Sequence, residues 1–594
     1  MPTLSLTNFN IVVSVLGGWI SLFGLVSYLL KENFYLSEAL ISLLAGLSFS
    51  PHAANFVRPL EYAGSEENLN AITLYFTRLV LGVQLVLAGV QLPSRYLKEE
   101  WKPLTLLLGP IMTAMWIITS LLIWALVPNL PFLHALVVGA CVTPTDPVLS
   151  NVIVKGRFAD HNVPKDLQKI IIAESGANDG LGYPFLFFAL YLIKYIGDGG
   201  ISESGGAGLA IGLWFGETWG YTIILSVVYG AVLGWIAKEL LHFCEERKFV
   251  DRESFLVFAF SLALFITGTC GMIGSDDILA CFIAGNVFTW DDWFRLQTLD
   301  EVRIFDISRR YWTFSLQPTI DMLLNVTIFM WYGAMCPWHS FVSNGVMPIY
   351  RLIPLGILIL LFRRLPFILI FYKKIPQIDG LRQAIFMGFF GPIGCSAIFY
   401  LYVTLEFVAT LNSNEETPRW DVAHLQEEVL VLVWFMVICS VVVHGLSIPL
   451  GKFGFYLPRT ISRTLSSPED LISFQMNGRV IPRSRSRDET AVNTPTESRS
   501  VSVRPVYRIG GTIITEHAPA TRSPILGLPD TSEVVVGPRE DIEASPRSSD
   551  KDPESFDNMA SPTPPSRIIR FPDETLPGNK ESREPKKDAA ATEA

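Results

Sequence analysis

Charge is scarce in this chain. Asp, Glu, Lys and Arg make up 17% of its 594 residues, against about a quarter in soluble globular proteins. That scarcity argues against the three or four soluble domains that length alone would allow. Basic charge is not in excess either: the formal net charge is −10, which is no footprint of nucleic-acid binding. The seven cysteines, at 141, 244, 270, 281, 336, 395 and 439, include no Cys-x-x-Cys pair. Most fall in apolar stretches, where Cys behaves as a small hydrophobe, so neither a disulfide framework nor a zinc site is indicated. Of the eight His residues, His134 and His444 read as packing contacts rather than metal ligands. No cofactor is called for. Apolar residues are what the chain has: 50% of it is hydrophobic, with 14 Trp and 39 Phe, and the mean hydropathy is +0.37. The class is an all-α polytopic membrane protein.

A helix needs roughly 20 apolar residues to cross a bilayer, and about thirteen segments qualify. They lie near 8–30, 34–54, 71–92, 103–127, 131–153, 167–194, 218–241, 253–273, 276–290, 314–335, 342–366, 381–407 and 427–450. Residues 1–9 carry no basic side chain and no cleavage site follows, so no signal peptide is expected. Lys155, Arg157, Lys165 and Lys169 make one link basic, as do Lys238 through Arg252 and the pair Lys373 and Lys374. Links 195–217 and 336–350 lack Lys and Arg. By the positive-inside rule the basic links and the C-terminal tail are cytoplasmic, and thirteen spans leave the N-terminus outside. The tail, 456–594, is expected to be disordered. Runs such as Arg483 to Arg487 and Ser561 to Ser566 bury too little apolar surface to offset chain entropy. Its Ser-Pro and Thr-Pro pairs are candidate phosphorylation sites or plain solvated chain, and its partners are not legible.

Ionisable groups inside apolar spans are costly and are functional hypotheses by default. In the fifth span stands Thr143-Pro144-Thr145-Asp146-Pro147. Two prolines three residues apart prevent regular helix between them, and irregular backbone at membrane depth is tolerated only in protein or beside a cavity. The plainer alternative is a Pro-kinked helix with a hydrogen-bonded Asp. The sixth span holds Glu174-Ser175-Gly176-Ala177-Asn178-Asp179-Gly180. Glu174, Ser175, Asn178 and Asp179 share one helix face, a set of oxygens suited to a hard monovalent cation. Two acids this close cannot both stay ionised unless a proton, a cation or a basic partner compensates. Arg363-Arg364, near the end of the eleventh span, is the obvious counter-charge for Glu174; snorkelling at a helix end is the alternative. In the twelfth span Gly388-Phe389-Phe390-Gly391-Pro392-Ile393-Gly394 makes a second break. Two broken helices in corresponding halves point to an inverted-repeat transporter with a midplane site.

These motifs, together with Ser275-Asp276-Asp277, resemble the monovalent cation/proton antiporters of the sodium/proton exchanger superfamily, most of all the fungal plasma-membrane sodium/proton antiporters. The resemblance covers about residues 8–455 and not the tail. It implies inverted repeats with two crossed broken helices, and an exchanger domain over 1–455. Core helices would fall at about 103–194 and 342–450, and scaffold helices that form a homodimer at about 8–92 and 218–335. It implies that Asp179 holds sodium or lithium and a proton in turn, and that Asn178 marks the mostly electroneutral branch. Ser175, Thr145 and Asp146 would lie near the ion, with Thr143, Pro144, Pro147, Gly391, Pro392 and Gly394 shaping the breaks. Glu174 would pair with Arg364 or Arg363. Asp276 and Asp277 match a fungal pair implicated in transport. Asp251 and Glu253 would attract cations at a cytoplasmic entrance, unless they are a plain solvated link.

The implied activity is export of cytoplasmic Na+ or Li+ against entering H+ by alternating access, serving salt tolerance at the plasma membrane. A potassium or organellar antiporter would use the same machinery. An intramembrane aspartyl protease would need a second catalytic Asp where Tyr183 stands, and a Pro-Ala-Leu motif that is missing. A cation channel would want a continuous pore, which fits one buried Asp facing two broken helices less well.

Overall fold

The computed structural model describes residues 7–30, 34–154, 159, 161–197, 205–297, 316–412 and 419–464. They belong to one compact unit, Met1–Gly478. The basic link at Lys155 and Arg157, and the expected tail beyond residue 464, lie outside the described residues.

Helices make up the regular structure, and no strand occurs among the described residues. The principal helices are α1 (Asn8–Tyr28), α2 (Glu38–Phe49), α3 (Glu66–Gln91), α4 (Trp101–Leu126), α5 (Phe132–Cys141) and α6 (Pro147–Val154). They continue with α7 (Lys165–Gly180), α8 (Tyr183–Ile196), α9 (Gly206–Glu246), α10 (Arg252–Ile273), α11 (Asp277–Phe288) and α12 (Leu316–Met335). The last are α13 (Ile349–Phe362), α14 (Leu365–Phe371), α15 (Leu381–Phe389), α16 (Cys395–Asn412) and α17 (Trp420–Thr464). Among the described residues, 7 helical stretches are long and apolar enough to cross a membrane. Each of the thirteen expected segments falls on one helix or on two halves of a broken one.

Burial separates the middle of the bundle from its rim. Two thirds of the apolar window is buried in Glu66–Gln91 and in Asp421–Pro449, but only 6% of it in Asn8–Ser27. Helix α9 likewise exposes Phe215, Ile224, Val228, Trp235 and Leu240. Lipid tails are as apolar as these side chains, so close packing rather than water exclusion must hold such helices together. Small residues supply it. A side chain on Gly46 would strike the backbone of α12, one on Gly89 the backbone of α11, and one on Gly230 or Gly234 the α11 carbonyls of Ala280 or Ala284.

Two segments differ from the sequence expectation. The sixth span is not continuous: α7 ends at Gly180 and α8 starts at Tyr183, with Pro184 in its first turn. Arg363 and Arg364 do not end the eleventh span. They sit at a bend within the stretch Ile349–Lys374, just before Pro366, and at 2% and 3% exposure they do not snorkel.

Candidate functional site

The site is built where the two broken helices cross. Pro144 lacks an amide hydrogen, so α5 stops at Cys141, and Pro147 is preset to open α6. The second break, between α15 and α16, holds Gly391, Pro392 and Gly394. The breaks are joined directly: Asp146 N donates to Pro392 O at 2.9 Å. The amide of Ile393 is in turn held by Ser440 Oγ of α17 at 2.7 Å.

Each break leaves two helix ends in the interior, and one charged side chain serves each kind of end. Asp146 takes the N-termini. Its Oδ1 accepts from Val148 N at 2.6 Å and Leu149 N at 3.4 Å, while Oδ2 accepts from Cys395 N at the start of α16. Arg363 takes the C-terminal ends. Its guanidinium donates to the carbonyls of Val142, Thr143 (3.2 Å) and Pro144 (3.4 Å) after α5, and to Gly391 O after α15. A negative group at amide ends and a positive one at carbonyl ends match the helix dipoles. The glycines are required by closeness. A Cβ on Gly394 would run into the Asp146 carboxylate, and one on Gly391 into the Arg364 side chain.

Helix α7 lies against this crossing. Asn178 Nδ2 donates to Thr145 Oγ1 at 2.8 Å, Asn178 Oδ1 accepts from Thr145 N at 3.2 Å, and the Ser175 and Thr145 hydroxyls are 3.1 Å apart. Glu174 forms a two-point ion pair with Arg364, at 2.5 and 2.7 Å, with both side chains 3% exposed. Arg364, not Arg363, is therefore its partner, and Arg364 Nε also donates to Met387 O at 3.1 Å.

Asp179 is different. It is 1% exposed, and neither carboxylate oxygen has a hydrogen-bond partner. Ser396 Oγ, also without a partner, lies beside it, and its principal charged neighbours are the acids Asp146 and Asp276. Its backbone carbonyl is held by the Tyr400 hydroxyl, while its carboxylate remains uncompensated. A buried carboxylate in that state needs a proton or a cation. Ser396 is the neutral oxygen beside it, and Ser175 and Asn178 stand on the same helix, four residues and one residue before it. One turn before it, Ser175 lines a narrow cleft together with Gln84, Gln91, Ser150 and Asp321.

The remaining acids divide. Asp276 caps α11, accepting from Ile278 N at 3.0 Å and Leu279 N at 3.1 Å, and its Oδ2 is buried without a partner. It lies against Gly180, where an added Cβ would come within 3.0 Å of Oδ2. Asp277 is paired with Arg78 of α3 at 2.8 Å. Asp251 is not brought to this site. It caps α10 through Ser254 N at 3.0 Å, and that hydrogen bonding holds its exposed carboxyl below the usual range. Glu253 follows in the first turn of the same helix. His134 pairs with Glu428 at 2.6 Å, and His444 reaches Phe389 O at 3.1 Å. Among the described residues no group of three metal-binding side chains occurs.

Sequence reasoning missed Arg78, Ser396 and Tyr400. Arg78 carried a usable signal, a basic group inside the apolar run 71–92. Ser396 and Tyr400 are ordinary core residues by pattern, and only the crossing of the chains gives them a role.

The sodium/hydrogen exchanger transmembrane family matches residues 19–450. The chain is 35% identical over 462 residues to Na+/H+ antiporter 2 of Zygosaccharomyces rouxii, covering 76% of this chain and 54% of that protein. It is 37% identical over 472 residues to a probable Na+/H+ antiporter of Schizosaccharomyces pombe, covering 77% and 58% respectively. The chain thus spans about half the length of these curated relatives. In fold it is similar to the sodium proton antiporter MjNhaP1 from Methanocaldococcus jannaschii at pH 8. The TM-score is 0.53 at 17% identity, over 74% of this chain and 100% of that one. From its matched span and its crossed, broken helices, the chain belongs to the sodium/hydrogen exchanger family of transmembrane proteins.

Proposed function

We propose that the protein is a secondary antiporter that moves Na+ or Li+ out of the cytoplasm in exchange for H+. Asp179 is the carboxyl that carries each in turn. The observation that carries this reading is the contrast within one small volume. Asp146 and Glu174 are fully partnered, whereas both oxygens of Asp179 are buried without any partner.

A carboxylate in this setting is costly when bare and neutral when either a proton or one monovalent cation occupies it. Only the neutral site is cheap to carry past the membrane's apolar barrier. Exchange follows, because an empty charged site does not cross. Thr145, Ser175 and Asn178 fix the surrounding oxygens, and the Glu174–Arg364 pair with the Arg363 clamp keeps the crossing rigid. Helices near 103–194 and 342–450 act as the moving core against scaffold helices near 8–92 and 218–335, in a homodimer. The cleft at Ser175 is lined in part by Val154, at the end of α6, next in sequence to the basic link 155–169. By the positive-inside rule that link is cytoplasmic, and the cleft is the proposed cytoplasmic route to Asp179. Potassium is the alternative cargo, and the relatives' names favour sodium. Their fungal origin supports a plasma-membrane, salt-tolerance role.

The test is reconstitution. Proteoliposomes with a preformed pH gradient should lose it when Na+ or Li+ is added, and Asp179→Asn should not respond although it inserts and stays monodisperse. Sodium-dependent proton flux in Asp179→Asn would overturn the assignment. A conductance without proton counter-movement would indicate a channel.

A further inference from the structure

We propose that the cleft leading to Ser175 contains a second monovalent-cation site, an antechamber built on the Gln84 side-chain oxygen and the Asp321 carboxylate. There a partly dehydrated ion is held before it reaches Asp179. This rests on the reading of Asp179 as the exchange carboxyl.

Four observations converge. The described lining of the cleft includes Gln84, Gln91, Ser150, Ser175 and Asp321, with apolar residues among the rest. One acid with several neutral oxygens is the donor chemistry of a hard cation. Gln84 is 6% exposed, yet its Oε1 is buried without a hydrogen-bond partner. A buried acceptor left unmade forfeits the bond it had to water, and a cation would satisfy it.

The orientation of that oxygen is set from a distance. Glu38, at the start of α2, can only accept when ionised. Asn325 of α12 donates Nδ2 to Glu38 Oε2 at 3.5 Å and so turns its Oδ1 toward Gln84, whose Nε2 donates to it at 2.5 Å. The Gln84 carbonyl is the end of this chain and is left over. Asp321 lies one helical turn before Asn325 on α12, so the acid and the relay share a face.

Position completes the argument. Ser175 lines the cleft and stands one turn before Asp179 on α7, so an ion at Gln84 and Asp321 has one short step to the exchange carboxyl. The same Ser175 hydroxyl is in contact with Thr145 at the crossing.

The experiment is equilibrium binding of radioactive Na+ to the purified full chain in lipid nanodiscs, in an Asp179→Asn background. The expected result is saturable binding that persists in Asp179→Asn and weakens about tenfold or more when Asp321→Asn or Gln84→Met is added. Both substitutions nearly conserve volume, and thermal melting checks that each variant is folded. In the otherwise unchanged protein, either substitution should raise the half-saturating cytoplasmic Na+ by a larger factor than it lowers the maximal exchange rate. Asp179→Asn that binds no Na+, or residual binding that survives both substitutions, overturns the antechamber and leaves a cleft that holds water only. Neither result touches the role of Asp179, which is read separately from flux.

Discussion

Asp146 and Asp179 are both buried acids, one in the first helix break and the other on the helix packed against it. They are used in opposite ways. Asp146 accepts from the backbone of two half-helices, and removing it would unpin both. Asp179 accepts from nothing, although the Tyr400 hydroxyl holds its backbone carbonyl. In the proposed cycle the partnered acid builds the site and the unpartnered one carries the ion or proton that comes and goes.

The largest effects should fall on function at one acid and on stability at the other. Asp179→Asn should reduce Na+-driven proton flux in proteoliposomes by more than about a hundredfold, some 2.7 kcal/mol, with thermal stability kept or improved. Asp146→Ala should do the reverse. It orphans the amides of Val148, Leu149 and Cys395 at about 1–3 kcal/mol each, and the melting temperature in detergent should collapse. Equal stability in the two variants would break the comparison.

Arg364→Met should come next. It strips Glu174 of its partner in the interior, a cost of about 3–5 kcal/mol by analogy with other broken buried pairs. The double variant Glu174→Gln with Arg364→Met should recover most of that melting temperature, because the pair as a whole is not what stabilises. Recovery of transport in the double variant would show that the pair only holds the fold. The smallest effect should be Thr145→Val. It removes the hydroxyl's contacts to Ser175 Oγ and Asn178 Nδ2 but keeps the Thr145 amide bond to Asn178 Oδ1, about 1 kcal/mol, and should show mainly as a raised half-saturating Na+ in flux assays.

Much of this was legible in the sequence for one reason: charge and proline are expensive in apolar helices, so their presence marks the site. Thr143–Pro147, Glu174–Gly180 and Gly388–Gly394 stood out on that ground, and they meet in the structure. Relations between distant segments were not legible. Arg363 and Arg364 are adjacent in sequence, yet Arg364 faces Glu174 while Arg363 grips carbonyls of both breaks. Residue type and spacing could not separate them, because they part at the bend they themselves occupy, just before Pro366. Asp251 and Glu253 read either as cation-attracting acids or as a plain solvated link, and what spacing did not show is that Asp251 caps a helix. Ser396 and Tyr400 carry no sequence signal at all, since a hydroxyl in an apolar run is ordinary until another chain segment crosses it.

The central claim is that one carboxyl takes sodium and proton in turn, and calorimetry tests it most directly. Sodium titrated into the purified protein, in buffers of different ionisation enthalpy, reports how many protons leave as each ion binds. The account predicts close to one proton released per Na+ bound at a pH where the site is protonated, and no such release in Asp179→Asn. Sodium binding with no proton release, or release that persists in Asp179→Asn, would contradict it.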